Sequence, residues 1–295
     1  MTILNERGEA DFDLYPYRPS GTAGYAFVVL FGLGGFVHLC MLIPLRAWFF
    51  IPFVMGCAGV SYKIYYHHTK VTFTDILQGE AAGYYGRAWS HSNIRNGSPY
   101  LLQLMLILAS APLLAASIYM TLGRLIRALD ATDHAFLSPR WTTKIYVTID
   151  IGSFVTQLMG TAMQANGGAD GVKQGTTIVI AGLGVQLGAF AIFILSVIIF
   201  HRRLVLEPTE MSIMHKTWNR YMWMLYTVSG LIVVRSIFRL AEFLEGNDGK
   251  LYKTEAFLYV FDASLMFAVV VFMAVLHPGL LLRATRKREM GIPLL

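Results

Sequence analysis

Runs of about 20 apolar residues recur along this 295-residue chain, and no other feature constrains its fold as strongly. A helix of about 20 residues is long enough to cross the hydrocarbon core of a bilayer. Apolar residues make up 55% of the chain and charged residues only 14%, which is unlike a soluble globular domain. The pattern predicts an all-α, polytopic integral membrane protein with one membrane domain, residues 23–279.

Seven such runs are present, so the predicted architecture is a seven-transmembrane helix bundle. Residues 1–22 are polar and acidic and lack a basic start followed by an apolar core, so we expect an N-terminal segment without a cleaved signal peptide. The predicted spans cover residues 23–43, 47–66, 100–122, 145–163, 178–200, 221–243 and 256–276.

The distribution of lysine and arginine predicts the orientation of the bundle. The loops after spans one, three and five, together with the tail, contain 13 of these residues. The N-terminal segment and the other loops contain 7, leaving out residues 60–78 and the intramembrane Arg235 and Arg239. Because cytoplasmic loops carry the excess of positive charge, we expect the N-terminus outside and the C-terminus in the cytosol. Asn96, in an Asn-Gly-Ser sequon, then lies outside as a candidate glycosylation site.

The net charge of +6 does not indicate nucleic acid as a partner. The basic residues stand at the ends of the apolar runs and in the tail, residues 280–295, where lipid headgroups account for them better. We expect a cytoplasmic tail whose basic cluster contacts anionic lipid headgroups. That cluster consists of Arg283, Arg286, Lys287 and Arg288.

The second span is interrupted by residues 60–78. Val-Ser at its start is compatible with a splice donor, Leu-Gln at its end with a splice acceptor, and its 57 coding nucleotides are in frame. We interpret the segment as a translated intron or an atypical insert, because joining Gly59 to Gly79 gives one continuous span. If the segment is retained, we expect it to keep Glu80 and Arg87 away from the bundle interior.

The sixth span carries Arg235, Arg239 and Glu242 on one helix face. Ionisable residues in hydrocarbon are costly unless they face a bundle interior and have partners. This stripe therefore predicts a polar interior. It is interpreted either as a functional site or as a structural ion-pair network that locks the helix to its neighbours.

Other predicted spans also carry polar residues that share one helix face. Asp150, Ser153 and Gln157 share one helix face, and Tyr259 shares another with Asp262. The sequence contains no HxxxH or HExxH motif, so no metal site and no cofactor are predicted. The candidates for a substrate-binding or polar core are His38, Glu80, Arg87, Gln103, Asp150, Gln157, Gln186, Arg235, Arg239, Glu242, Tyr259 and Asp262.

Short motifs on successive spans resemble a known family. They include Glu80-x-x-Gly83-Tyr84-x-x-Arg87, Asp150-x-x-Ser153-x-x-x-Gln157, Arg235-Ser236-x-Phe238-Arg239-x-x-Glu242-Phe243 and His277-Pro278-Gly279. In this order they resemble the fungal seven-transmembrane proteins of the resistance-to-aminocholesterol (RTA-like) type, also called lipid-translocating exporters. The resemblance implies export or flipping of amphiphiles such as sphingoid bases and sterol-like toxins, or resistance to them, at the plasma membrane. It implies no catalytic residue.

Three functions fit the sequence. The first is a translocator of an amphipathic small molecule, whose amine headgroup would meet inward carboxylates; no ATP-binding motif is present, so pumping would draw on a gradient or another protein. The second is a seven-helix lipid sensor or receptor, which has the same topology. The third is an intramembrane enzyme, either a metal-dependent hydrolase using His38, His277 and Asp262 or a cyclase or isomerase acting on a lipid-like metabolite. The translocator is the predicted function, and the oligomeric state is left open.

Overall fold

The computed structural model describes residues 14–58, 79–166, 168–214, 217–246 and 249–289. Over these ranges the regular structure is helical and includes no β-strand, which confirms the all-α fold. Residues 60–78, the suspected insert, lie outside the described residues, and so do residues 1–13 of the N-terminal segment.

Most of the helices extend beyond the apolar runs that predicted them. A π-helical turn, Tyr259–Ala263, joins two of them, and single 3-10 turns lie at Trp48–Phe50 and Thr132–His134. In chain order the α-helices are α1 (Gly21–Leu45), α2 (Ile51–Ala58), α3 (Glu80–Ser90), α4 (Gly97–Ala128), α5 (Pro139–Asn166), α6 (Gly168–Leu206), α7 (Glu210–Met214), α8 (Trp218–Glu245), α9 (Lys250–Lys253), α10 (Glu255–Leu258), α11 (Ser264–Val275) and α12 (Pro278–Glu289).

Five helical segments of the described chain are long and apolar enough to cross a membrane. A polytopic membrane protein is thereby confirmed, whereas the count of seven spans and the orientation of the termini stay predictions. The five segments are Gly21–Leu45, Gly97–Ala128, Asp170–Leu206, Trp218–Glu245 and Glu255–Ala284.

The predicted fourth span corresponds to α5, which lies antiparallel beside α6. At one end a Cβ added to Gly160 would be 2.6 Å from the carbonyl oxygen of Gly175, so only glycine permits this approach. Toward the other end the hydroxyl of Tyr146 is 3.3 Å from that of Ser196. The two helices are therefore in contact over most of the length of α5.

The predicted second span is divided between α2 and α3. The ends that flank the suspected insert meet, because Gly79 packs directly on the carbonyl group of Gly56. The helix α3 also lies close to α1, where a Cβ on Gly24 would be 2.8 Å from that of Ala88. Both Glu80 and Arg87 are buried. The expectation that a retained insert keeps these two residues out of the interior is wrong, because α3 is held by its own contacts with α1 and α4.

Candidate functional site

A cavity of about 370 Å³ lies inside the bundle. It is bounded by the N-terminal segment, by α3 to α6, and by the chain from α8 to the π-helical turn. Its walls combine charged, hydroxyl-bearing and apolar side chains, and its size is typical of small-molecule sites. The charged residues are Arg87, Arg239, Glu242 and Asp262, and the tyrosines are Tyr15, Tyr17, Tyr100 and Tyr252.

The predicted stripe on α8 faces this interior. Arg235 forms an ion pair with Asp262 of the π-helical turn, and its Nη2 lies 3.5 Å from the carbonyl oxygen of Ile107. Arg239 donates to Glu242 Oε2 at 2.8 Å along the same helix. Each arginine of the stripe thus has a carboxylate partner, as burial in a membrane protein demands.

Glu80, at the start of α3, lies behind the Arg235–Asp262 pair and is fully buried. Its Oε1 is 2.6 Å from the hydroxyl oxygen of Ser110 on α4. Arg235, Arg239 and Asp262 are near enough to interact with it electrostatically. Glu80 therefore belongs to the same polar core, although it is not part of the cavity wall.

Arg87 is the centre of a second group at one end of the cavity. It donates to Tyr17 at 2.7 Å, Glu255 at 2.9 Å, Tyr259 at 3.1 Å and Gln103 Oε1 at 3.5 Å. Its guanidinium also lies 5.3 Å from the centre of the Tyr259 ring. A planar fork with five N–H donors suits this arrangement, which a lysine would not reproduce.

Residues 14–20, here called the N-terminal strap, close this end of the bundle. The hydroxyl of Tyr15 lies 2.9 Å from both Ser90 Oγ and Gln103 Oε1. The backbone N–H of Ser20 donates to Glu255 at 2.8 Å. Burial raises the pKa of Tyr15 to about 12, so its hydroxyl stays protonated at neutral pH.

A separate polar group lies between α4, α5 and α6. Tyr119 donates to Asp150 Oδ2 at 2.9 Å, and Gln157 donates to Gln186 at 3.0 Å. Asp150 and Gln157 are buried, but neither lines the cavity. The polar residues singled out in the sequence are therefore divided between two places in the bundle.

His38 lies apart from both groups. It is buried against Phe50 and Phe53, and its Nε2 is 3.1 Å from the carbonyl oxygen of Val270. The ring of His277 is 5.7 Å away, centre to centre, but Asp262 is paired with Arg235 elsewhere. Among the residues that the structure describes, no three His, Cys, Asp or Glu side chains are placed to hold a metal ion.

Two surface features were predicted, a glycosylation site at Asn96 and a basic cluster in the tail. Asn96 is the N-cap of α4, and its side chain accepts the N–H of Ser98 at 3.1 Å. Arg283 is exposed on α12. Arg286, Lys287 and Arg288 belong to the same helix, and the structure describes their backbone but not their side chains.

Several residues of the cavity were not predicted. Tyr15, Tyr17, Tyr100 and Tyr252 come from segments outside the predicted spans or at their ends. Ser110, which contacts Glu80 away from the cavity wall, was not predicted either, because it is an ordinary small residue of a helix. The sequence held one signal, the Tyr-Pro-Tyr stretch just before α1, since tyrosine favours membrane interfaces.

The chain is similar to proteins named as an uptake protein and a transporter. It is 32% identical over 282 residues to Protoporphyrin uptake protein 1 of Saccharomyces cerevisiae, covering 90% of this chain and 92% of that protein. It is 26% identical over 301 residues to the Sphingoid long-chain base transporter RSB1 of the same species, covering 90% and 73%. No solved structure matches the chain.

The family is shown by two findings. The chain is 30% identical over 292 residues to Protein RTA1 of Saccharomyces cerevisiae, covering 90% of this chain and 85% of that protein. Residues 77–285 match the family described as RTA1 like protein. Two of these relatives are named as an uptake protein and a transporter, and the polytopic helical fold agrees with such names. This chain belongs to the RTA1-like family.

Proposed function

We propose that this protein moves amphipathic, lipid-like compounds across the membrane and thereby gives resistance to them. The observation that carries the proposal is the cavity, which combines ion-paired charges with tyrosine and apolar side chains inside a membrane bundle. Such a site has partners for a polar headgroup and apolar surface for the chain attached to it.

The charges of the cavity suit more than one headgroup. Glu242 and Asp262 can accept hydrogen bonds from an amine, whereas Arg87 and Arg239 can donate to a carboxylate or a phosphate. A sphingoid base is a long-chain amine and a protoporphyrin carries carboxylates, so the names of two relatives support both possibilities. We favour the amine, because Glu242 is held on the cavity wall by a single arginine of its own helix.

The topology that we propose has seven spans in the plasma membrane, with residues 1–22 outside and residues 280–295 in the cytosol. The close contact of α5 with α6 supports an additional span, and the meeting of Gly79 with Gly56 supports another built from α2 and α3. In this orientation the N-terminal strap lies on the extracellular side. The basic tail, with Arg283, Arg286, Lys287 and Arg288, contacts anionic headgroups on the other side.

The test is transbilayer movement of a labelled sphingoid base in vesicles that contain the purified protein. The variant is Glu242→Gln, which keeps the shape of the side chain and removes its charge. The control is Glu207→Gln, because the side chain of Glu207 is 87% exposed at the end of α6. Loss of a charge-assisted hydrogen bond is worth about 1.5–3 kcal/mol, so movement by Glu242→Gln should fall roughly tenfold to a hundredfold.

Equal movement by Glu242→Gln and the wild type would contradict the proposed site. No movement by the wild type, with the labelled base still bound, would contradict translocation itself and favour a lipid sensor.

A further inference from the structure

The ion pairs of the bundle leave Glu80 without an arginine of its own. Arg87 pairs with Glu255, Arg235 with Asp262, and Arg239 with Glu242. Glu80 is fully buried, and in the described part of the chain its Oε2 has no hydrogen-bond partner. An ionised carboxylate in such a position is strongly disfavoured, whereas a neutral carboxylic acid is not.

The contacts of Ser110 also indicate a proton on Glu80. The hydroxyl oxygen of Ser110 lies 2.6 Å from Glu80 Oε1 and 2.9 Å from the carbonyl oxygen of Ile107. The serine hydroxyl has one hydrogen, so it cannot donate to both oxygens at once. If Glu80 carries a proton, it donates to Ser110, and Ser110 donates to Ile107. Only the neutral acid then gives every one of these short contacts a hydrogen.

Arg235 connects Glu80 to the cavity. It is paired with Asp262, which lines the cavity, and it also approaches the carbonyl oxygen of Ile107 that Ser110 contacts. A shift of the guanidinium toward Ser110 would therefore exchange Asp262 for Glu80 as its partner. The titratable and charged groups around Glu80 are Cys57 on α2, Tyr84 on α3, Arg235 and Arg239 on α8, and Asp262 in the π-helical turn.

We propose that Glu80 is a proton-exchange residue, which holds a proton while the cavity is empty and releases it when a cationic amphiphile binds. The cation pairs with the carboxylate of Asp262, and Arg235 moves to Glu80. The O–H bond of Glu80 breaks, the proton passes to water, and the new carboxylate pairs with Arg235. One positive charge enters and one leaves, so the net charge of the interior is unchanged.

This inference rests on the proposed function, because it requires that a cation enter the cavity. The probe is a labelled long-chain trimethylammonium amphiphile, which has a fixed charge and no proton of its own to lose. Binding to the full-length protein in lipid nanodiscs is measured together with proton release to a pH-sensitive dye in weak buffer. The wild type and Glu207→Gln should release about one proton per bound cation. Glu80→Gln should release no proton at cation concentrations high enough to saturate it, and it should bind the cation more weakly, because Arg235 then has no second carboxylate to pair with.

Two results would overturn the exchange and leave the proposed function standing. The first is cation binding by the wild type without proton release, and the second is equal release from Glu80→Gln. If the wild type moves the labelled sphingoid base but does not bind the trimethylammonium cation, the exchange fails and the proposed function stands; if it does neither, both fail.

Infrared spectroscopy provides a readout that needs no ligand. The ligand-free wild type should show the carbonyl band of a protonated carboxylic acid from Glu80, and this band should appear in the difference between the spectra of the wild type and Glu80→Gln, whatever the buried Asp150 contributes to both spectra. Ser110→Ala should keep the band at a shifted frequency, which tests the assignment should Glu80→Gln fail to fold. A wild-type spectrum without a protonated-acid band would overturn the proposal.

Discussion

Replacing Glu255 by glutamine should destabilise the bundle, because it leaves the buried Arg87 without its carboxylate. Removing one partner of a fully buried ion pair costs about 3–5 kcal/mol. The side chain of Arg87 is 1% exposed, but that of Glu255 is 21% exposed, so water screens part of the interaction. Glutamine can still accept one hydrogen bond, and the tyrosine acceptors of Arg87 remain. We therefore expect a loss of about 2 kcal/mol.

A double-mutant cycle isolates the pair. Arg87→Met alone should cost about 3 kcal/mol, because it removes the guanidinium from all its acceptors. The double variant should cost less than the sum, by a coupling free energy of about 1.5 kcal/mol. The assay is reversible unfolding in mixed lipid and dodecyl sulfate micelles, followed by tryptophan fluorescence.

The control for this cycle is Glu207→Gln, which removes an exposed carboxylate that lies 3.8 Å from His134. It should change the free energy of unfolding by less than about 0.5 kcal/mol. If the effects at Arg87 and Glu255 add to within about 0.5 kcal/mol, the two groups do not interact and the account of the Arg87 group is refuted.

Three more predictions concern packing, pH and the suspected insert. Gly24→Ala should lower the free energy of unfolding by about 1–3 kcal/mol in the same assay, because the new Cβ forces α1 away from α3. Gly32→Ala is the control: nothing lies within 4 Å of its new Cβ, so it should be neutral or slightly stabilising. Equal effects of the two substitutions would contradict the close approach of α1 to α3. Backbone N–H groups lower the pKa of Glu245, so its contribution to loop stability is complete above its unfolded pKa of about 4.3 and is lost as pH falls through the folded pKa. Exchange of the Leu251 amide, corrected for its intrinsic rate, should therefore rise with acid, and a pH-independent corrected rate would count against this. Deleting residues 60–78 should preserve folding and transport, because the ends that flank this segment already meet. A transcript that always retains the 57 nucleotides encoding the segment would contradict the intron interpretation.

The helices are predicted by local signals in the sequence, and the structure contains them. Apolar length and sparse charge identify α1, α4, α6 and α8 without knowledge of their neighbours. The helix face shared by Arg235, Arg239 and Glu242 is likewise a local property, since it depends only on residue spacing. The number of seven spans is harder to predict from local signals, because α2 and α3 are each too short to cross a membrane alone.

The composition of the site depends on neighbours that periodicity does not reveal. Asp150 and Asp262 both sit on inward faces, yet one meets Tyr119 and the other meets Arg235. Spacing along a helix tells which side is buried but not which helix covers it. The partners of Arg87 come from both ends of the chain, at separations of 70 residues to Tyr17 and 168 to Glu255.

The same separation has a consequence for biosynthesis. Arg87 must enter the bundle on α3, but its carboxylate partner is made 168 residues later. At roughly 5–20 residues per second, a ribosome needs about 10–30 s to supply it. During that interval the guanidinium has Tyr17 and Gln103 as acceptors but no counter-charge from Glu255. The insertion machinery must therefore hold α3 in a setting that tolerates a lone cation until the last long helix arrives.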